Sequence, residues 1–211
     1  MFRAVKGALA VAGAFSVLAC SATTFNASWK APDAQPINFG GQKVLALVVS
    51  PNEGTRRAAE EALSRELTAL GVQGMPGYTV LPTEVVQAKD REKGRDMVEK
   101  AGVAGIVAMR LVGKDKEITS SPGMWSTTPY YGSFWGGYYG YGWGAVYDPG
   151  YIRTDTILSV ETLVHDLKQN KLVWAGQSAT TNPSDADKFM RELVGKAAGE
   201  MRKQGLIRPR S

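Results

Sequence analysis

The spacing of apolar and polar residues changes period several times along the chain, and each change marks an element. KVLALVVS (43–50) is an unbroken apolar run rich in Val and Leu, the pattern of a strand covered on both faces. A helical period follows. Ala59, Ala62, Leu63, Leu67 and Leu70 recur at i, i+3 and i+4 spacing, and Gly71 ends the run. Ser50, Asn52 and Thr55 are the candidate caps. Arg56, Arg57, Glu60, Glu61 and Glu66 are expected on a solvated face. YTVLP (78–82) reads as a short second strand. TEVVQAKDREKGRDMVEKAG then gives helical material that breaks near Lys89, with Asp90 as a cap, Met97, Val98 and Ala101 inward, and Gly102 as the stop. GIVAMRLVGKDKEI (105–118) is a third strand, apolar at its start and charged at its end.

The second half turns antiparallel. In YIRTDTILSVETLVHD (151–166) Leu158, Val160, Thr162 and Val164 share one face, and Ser159, Glu161 and His165 share the other. That alternation predicts a half-buried strand. KQN turns the chain into KLVWAGQSAT (171–180), a hairpin anchored by Trp174. SDADKFMRELVGKAAGEMRKQG is a helix with Ser184 and Asp187 in a capping box, a buried stripe through Met190, Leu193, Val194, Ala197 and Met201, and Gly205 as its stop. The order βαβαβ–ββ–α predicts one α/β domain over residues 42–208. Its mixed sheet has a parallel core with antiparallel strands added, and helices pack on it.

The N-terminus has a different character. MFRAVKGALAVAGAFSVLAC opens with Arg3 and Lys6 and continues uncharged from Gly7 to Ala19. Thirteen residues suit a signal-peptide core and are too short to cross a bilayer of about 30 Å. Val17, Leu18, Ala19 and Cys20 resemble the lipobox of bacterial lipoproteins, with Val where that family prefers Leu. The resemblance implies cleavage after residue 19. It also implies a diacylglycerol thioether on Cys20, the chain's one cysteine, and an anchor of two or more acyl chains such as palmitate. Ser21, in the same family, permits export to the outer membrane. Residues 20–41, with Pro32 and Pro36, read as the lipidated terminus and a flexible tether. Trp29 within them is expected to pack back on the domain or to start an edge strand.

Composition narrows the function classes without choosing one. The formal charge is +5, or +3 once Arg3 and Lys6 leave with the leader, too weak an excess for a nucleic-acid surface. A single cysteine forms no internal disulfide, and an acylated one is no nucleophile. His165, the one histidine, is expected on a polar strand face near a turn. No His/Cys cluster offers a metal site, and SPNEG after the first strand lacks the lysine of a phosphate-binding loop. Asp115 and Glu117 alternate along a strand end, but Lys114 and Lys116 make a solvated charged edge the simpler reading. No catalytic residue, cofactor or metal is implied, and the chain is expected not to be an enzyme.

One anomaly remains. Residues 122–151, PGMWSTTPYYGSFWGGYYGYGWGAVYDPGY, hold eleven of the nineteen aromatic residues, and Asp148 is their only charge. Gly between rings gives surfaces that stack on sugars, lie at a membrane interface or pair with another copy. Trp125, Tyr131, Trp135, Tyr139 and Trp143 are the candidate binding residues. The bland alternative is a low-complexity insertion that covers the strand ends.

Lipobox, tether, KVLALVV–helix opening, Gly/Tyr-rich interruption and NKLVWAGQSAT hairpin together resemble small outer-membrane lipoproteins of Gram-negative bacteria. In element order the domain is similar to the periplasmic α/β modules of LpoB, CsgG and the N-terminal part of TolB. That implies a non-catalytic protein-binding or envelope-assembly module on the periplasmic face of the outer membrane. The partners implied are the lipid bilayer and an envelope protein or glycan, with self-association into a homo-oligomer a further expectation. A cell-wall hydrolase is the alternative, and a cleft with paired carboxylates of raised pKa would favour it.

Overall fold

The computed structural model describes residues 22–116, 156–183 and 185–207. They form one six-stranded mixed sheet in the order β1-β6-β5-β4-β2-β3. β2 (Lys43–Val49), β3 (Gln73–Pro76) and β4 (Gly105–Lys116) run parallel. β5 (Thr156–Asp166) and β6 (Lys171–Thr181) continue the sheet antiparallel, as the alternation in the second half predicts. Two long helices, α1 (Glu53–Ala69) and α4 (Ala186–Lys203), cover one face. The short helices α2 (Thr83–Gln87) and α3 (Arg91–Lys100) cover the other.

Local signals set most helix ends. Asn52 caps α1, its side chain accepting from Thr55 N at 2.9 Å, and Asp90 caps α3 through Lys93 N. Gly71, Gly102 and Gly205 follow the helices with φ of +94°, +68° and +71°. These are left-handed positions that glycine adopts without a Cβ clash. For α4 the cap is Asp185, which accepts from Lys188 N at 2.8 Å, and not the expected Ser184, which lies outside the described residues.

Three expectations are corrected. The strand after α1 lies at 73–76, not at 78–82. Gly77–Thr79 is a 3₁₀ turn, and Val80 and Leu81 drop into the second core. Pairing with β2 ends at Pro76, and Gly77 passes β2 too closely for any side chain. A Cβ there would lie 2.9 Å from the Ala46 carbonyl oxygen and 2.8 Å from Glu60 Oε1.

Residues 22–41 are not a free tether. Ala22–Lys30 form β1, an edge strand antiparallel to β6, with a bulge between Phe25 and Ala27. Thr23 turns inward and shares a 2.8 Å hydrogen bond with Thr180. Phe25 meets Trp174 edge-on, ring centres 5.6 Å apart. Ala31 and Ile37 are buried, and Ile37 N–H donates to the Leu206 carbonyl at 2.8 Å.

His165 is not on a solvated face. It is 2% exposed, paired in register with Ile106 and Leu172, both in the second core. Because helices cover both faces of the sheet here, the polar half of the β5 alternation is buried too.

Candidate functional site

Two regions of this scaffold gather side chains that packing alone does not require, and they sit at opposite ends of α1. The first is charged. Arg56 and Glu60, expected on a solvated face, are 1% and 0% exposed. The Arg56 guanidinium grips Glu53 through two hydrogen bonds, 2.9 and 3.0 Å, and donates to Thr83 Oγ1 at 3.1 Å. Glu60 accepts from the backbone N–H of Val48 at 3.2 Å and of Tyr78 at 2.6 Å. Its Oε1 stands 3.6 Å from Arg56 Nη1, beyond hydrogen-bond reach. Burial pushes the Glu60 carboxyl up to about 7, outweighing those N–H donors and Arg56. Hydrogen bonds from Arg56 and then Arg57 pull Glu53 down to about 2.

Chemically this cluster is a clasp. Both Glu60 oxygens are engaged by backbone N–H groups, one at the end of β2 and one in the 3₁₀ turn, so the carboxyl ties α1 to two segments. Arg57 lies over the Tyr78 ring at 5.2 Å, and the Tyr78 hydroxyl donates to Glu61. Another buried titratable group, His165, is held down at about 3 by burial.

The second region is apolar. A cavity of about 340 Å³ lies between the sheet, α1, α4 and the segment 36–40. Val107, Met109 and Val164 form its floor, and Leu67, Ala197 and Phe39 contribute walls. Phe39 is seated by a missing side chain: a Cβ on Gly105 would lie 2.3 Å from its ring. Two lining groups are polar in a way the rest are not. Thr162 is 1% exposed, and its hydroxyl has no hydrogen-bond partner among the described residues. Its cross-strand neighbours, Met109 and Gly176, offer no side-chain acceptor. Arg202, in the last turn of α4, is the only charged residue of the lining and has no ion pair among the described residues. Its place opposite strand residues distant in sequence hides this site from a reading of local pattern.

The site residues singled out from sequence are not among those the structure describes with side chains. Cys20, Trp125, Tyr131, Trp135, Tyr139, Trp143 and Glu117 lie outside the described residues, and of Asp115 only the backbone is described. The sheet nevertheless fixes where the flanking chain leaves the domain. Ala22 pairs with Thr181, Thr181 with Ile157, and Ile157 with Asp115. Ala22, Asp115 and Ile157 therefore lie at one end of the sheet, within three strand spacings, about 14 Å. β4 also outruns β2: Arg110 pairs with Val49, the last residue of β2, and six further residues extend this edge by about 20 Å. Among the described residues no helix is long and apolar enough to cross a membrane, and no three His, Cys, Asp or Glu gather as metal ligands.

No family model matches the chain, and no curated protein matches it in sequence. Among solved structures it is similar to two PelC dodecamers from Paraburkholderia phytofirmans. The TM-scores are 0.46 and 0.43 at 9% identity, covering 84% of this chain and 94% of each PelC chain. Lipoprotein GNA1162 from Neisseria meningitidis is similar at a TM-score of 0.39 and 12% identity, over 76% of this chain and 97% of that one. Likenesses at these scores carry no functional argument.

Proposed function

We propose that the chain is a lipid-anchored envelope lipoprotein, held through Cys20 on the periplasmic face of the outer membrane, that binds an envelope protein or glycan and performs no chemistry. The observation that carries this reading is the shared edge of the sheet. The register Ala22–Thr181–Ile157–Asp115 sets Ala22, two residues after the lipobox cysteine in sequence, at the same end of the sheet as Lys116 and Thr156, between which the aromatic segment falls in sequence. An acyl anchor on Cys20 then holds that edge toward the bilayer, where Trp and Tyr rings are favoured. Trp125, Tyr131, Trp135, Tyr139 and Trp143 are the binding residues of this reading.

The test has two arms. Cys20→Ser abolishes fatty-acid labelling and leaves an uncleaved or soluble product. Crosslinking pull-down from envelopes recovers a partner with the intact chain and loses it when 122–151 is replaced by a short Gly/Ser connection. The shortened chain stays folded, since halving a loop changes its closure entropy by only about 0.6 kcal/mol. Labelling and membrane pelleting of Cys20→Ser protein would refute the anchor. Recovery of the same partners without the segment would refute the binding surface.

A further inference from the structure

We infer that the cavity between the sheet, α1 and α4 is a binding site for a single acyl chain with an anionic head, such as a free fatty acid. The inference is independent of the anchor. The cavity lies around Val44 and Val164, near the β5–β6 turn, at the opposite end of the sheet from Ala22.

Three observations select this guest. The walls are mostly apolar, with Asn38, Thr162 and Arg202 their polar side chains, so an apolar body is favoured by its own burial. The volume, about 340 Å³, sits at the low end of small-molecule sites and suits one chain better than a two-chain lipid. The charge on the lining is a lone cation, Arg202, which is half-buried and has no ion pair among the described residues. A guanidinium in that setting takes a carboxylate or phosphate in a forked pair. An apolar tail and an anionic head on one molecule match both features.

Thr162 adds a further point. Elsewhere in the sheet buried hydroxyls are satisfied: Thr23 and Thr180 bond each other, and Ser178 donates to the Val160 carbonyl at 3.2 Å. Thr162 faces the cavity without such a partner, and a polar atom of the guest can supply one. Phe39, resting on Gly105, walls the same space from the segment preceding β2. Residues 36–40 thus act as a wall of the site.

The experiment is calorimetric titration of the full chain carrying Cys20→Ser, in which no acyl group of its own competes. Dodecanoate is titrated below its micelle concentration at neutral pH, with dodecanol as the uncharged counterpart. Dodecanoate binds saturably at one per chain. Arg202→Gln weakens dodecanoate at least tenfold and leaves dodecanol unchanged, because only the head contact is lost. Ala197→Trp fills the cavity and removes both, with thermal unfolding to verify that this variant is folded. The proposal is overturned if wild-type protein takes up no dodecanoate. It is equally overturned if Arg202→Gln binds dodecanoate as well as wild type does, or if folded Ala197→Trp still binds it.

Discussion

At the N-terminal end of α1, Arg56 and Glu60 are buried among partners, whereas at its C-terminal end Leu67 and Leu70 face a cavity that holds a hydroxyl and a cation without them. Both ends depart from a plain helix-on-sheet core, and in opposite senses. The charged end is nearly closed: Glu60 holds two backbone N–H groups, Arg56 holds Glu53 and Thr83, and only Arg56 Nη1 lacks a hydrogen-bond partner among the described residues, 3.6 Å from Glu60. The apolar end is open, and Thr162 and Arg202 line it without a partner among the described residues. Burial of charge alone is therefore a poor guide to function. Unmet hydrogen-bonding and pairing capacity next to an empty volume is the better one.

Substitutions at the closed end are the costliest. Glu60→Ala strands the N–H groups of Val48 and Tyr78 and removes the second carboxyl beside Arg56, 3.6 Å from its Nη1. A loss of about 3–5 kcal/mol is expected, read by urea unfolding. A loss below about 1 kcal/mol would mean the clasp is not structural.

The same carboxyl governs the response to pH. The Glu60 carboxyl is raised from 4.5 to about 7, so between those values the folded chain holds a proton that the unfolded chain has released. Its contribution falls as pH rises through that window. His165 is lowered from 6.5 to about 3, so the unfolded chain holds the extra proton there and stability rises with pH across that window. The two oppose each other between about 4.5 and 6.5. Wild-type stability is accordingly near flat there with respect to these groups. Glu60→Gln leaves the His165 slope, a rise of up to about 1.4 kcal/mol per pH unit. Denaturation midpoints at four pH values separate the cases, and parallel profiles for the two proteins would contradict a raised Glu60.

Smaller changes are expected at the open end. Gly105→Ala drives a methyl into the Phe39 ring and forces the 36–40 segment to shift, costing about 1–3 kcal/mol by thermal unfolding. Thr162→Val has the opposite sign. It removes a buried hydroxyl that has no partner among the described residues, so ligand-free protein gains about 1 kcal/mol. A loss on that substitution would show that the hydroxyl is satisfied, and the contrast between the two ends of α1 would weaken.

Much of the fold was legible because its elements are locally marked. The β2 run, the α1 and α4 stripes, the stops at Gly71, Gly102 and Gly205, and the β5–β6 hairpin all follow from short-range pattern. β1 was missed because ATTFNASWK is polar in composition. Thr23 and Phe25 face inward, but their partners, Thr180 and Trp174, are far away in sequence. Arg56 and Glu60 carried a signal that their charge masked: with Leu63 and Leu67 they fall at i, i+4, i+7 and i+11, on the buried stripe of α1. His165 was misplaced because a period of two cannot say whether the second face is covered. The cavity was invisible from sequence, since Thr162, Phe39 and Arg202 meet only through the completed sheet.

The central claim is that the edge of the sheet carrying Ala22, Asp115 and Thr156 works beside the bilayer, held there by Cys20. A photo-crosslinking residue at position 135 or 143, activated in intact envelopes, tests it directly. Crosslinks to lipid or to a discrete envelope partner are expected from the wild-type chain, with loss of both from Cys20→Ser protein. Identical crosslinks from both chains, or none from either, would contradict it.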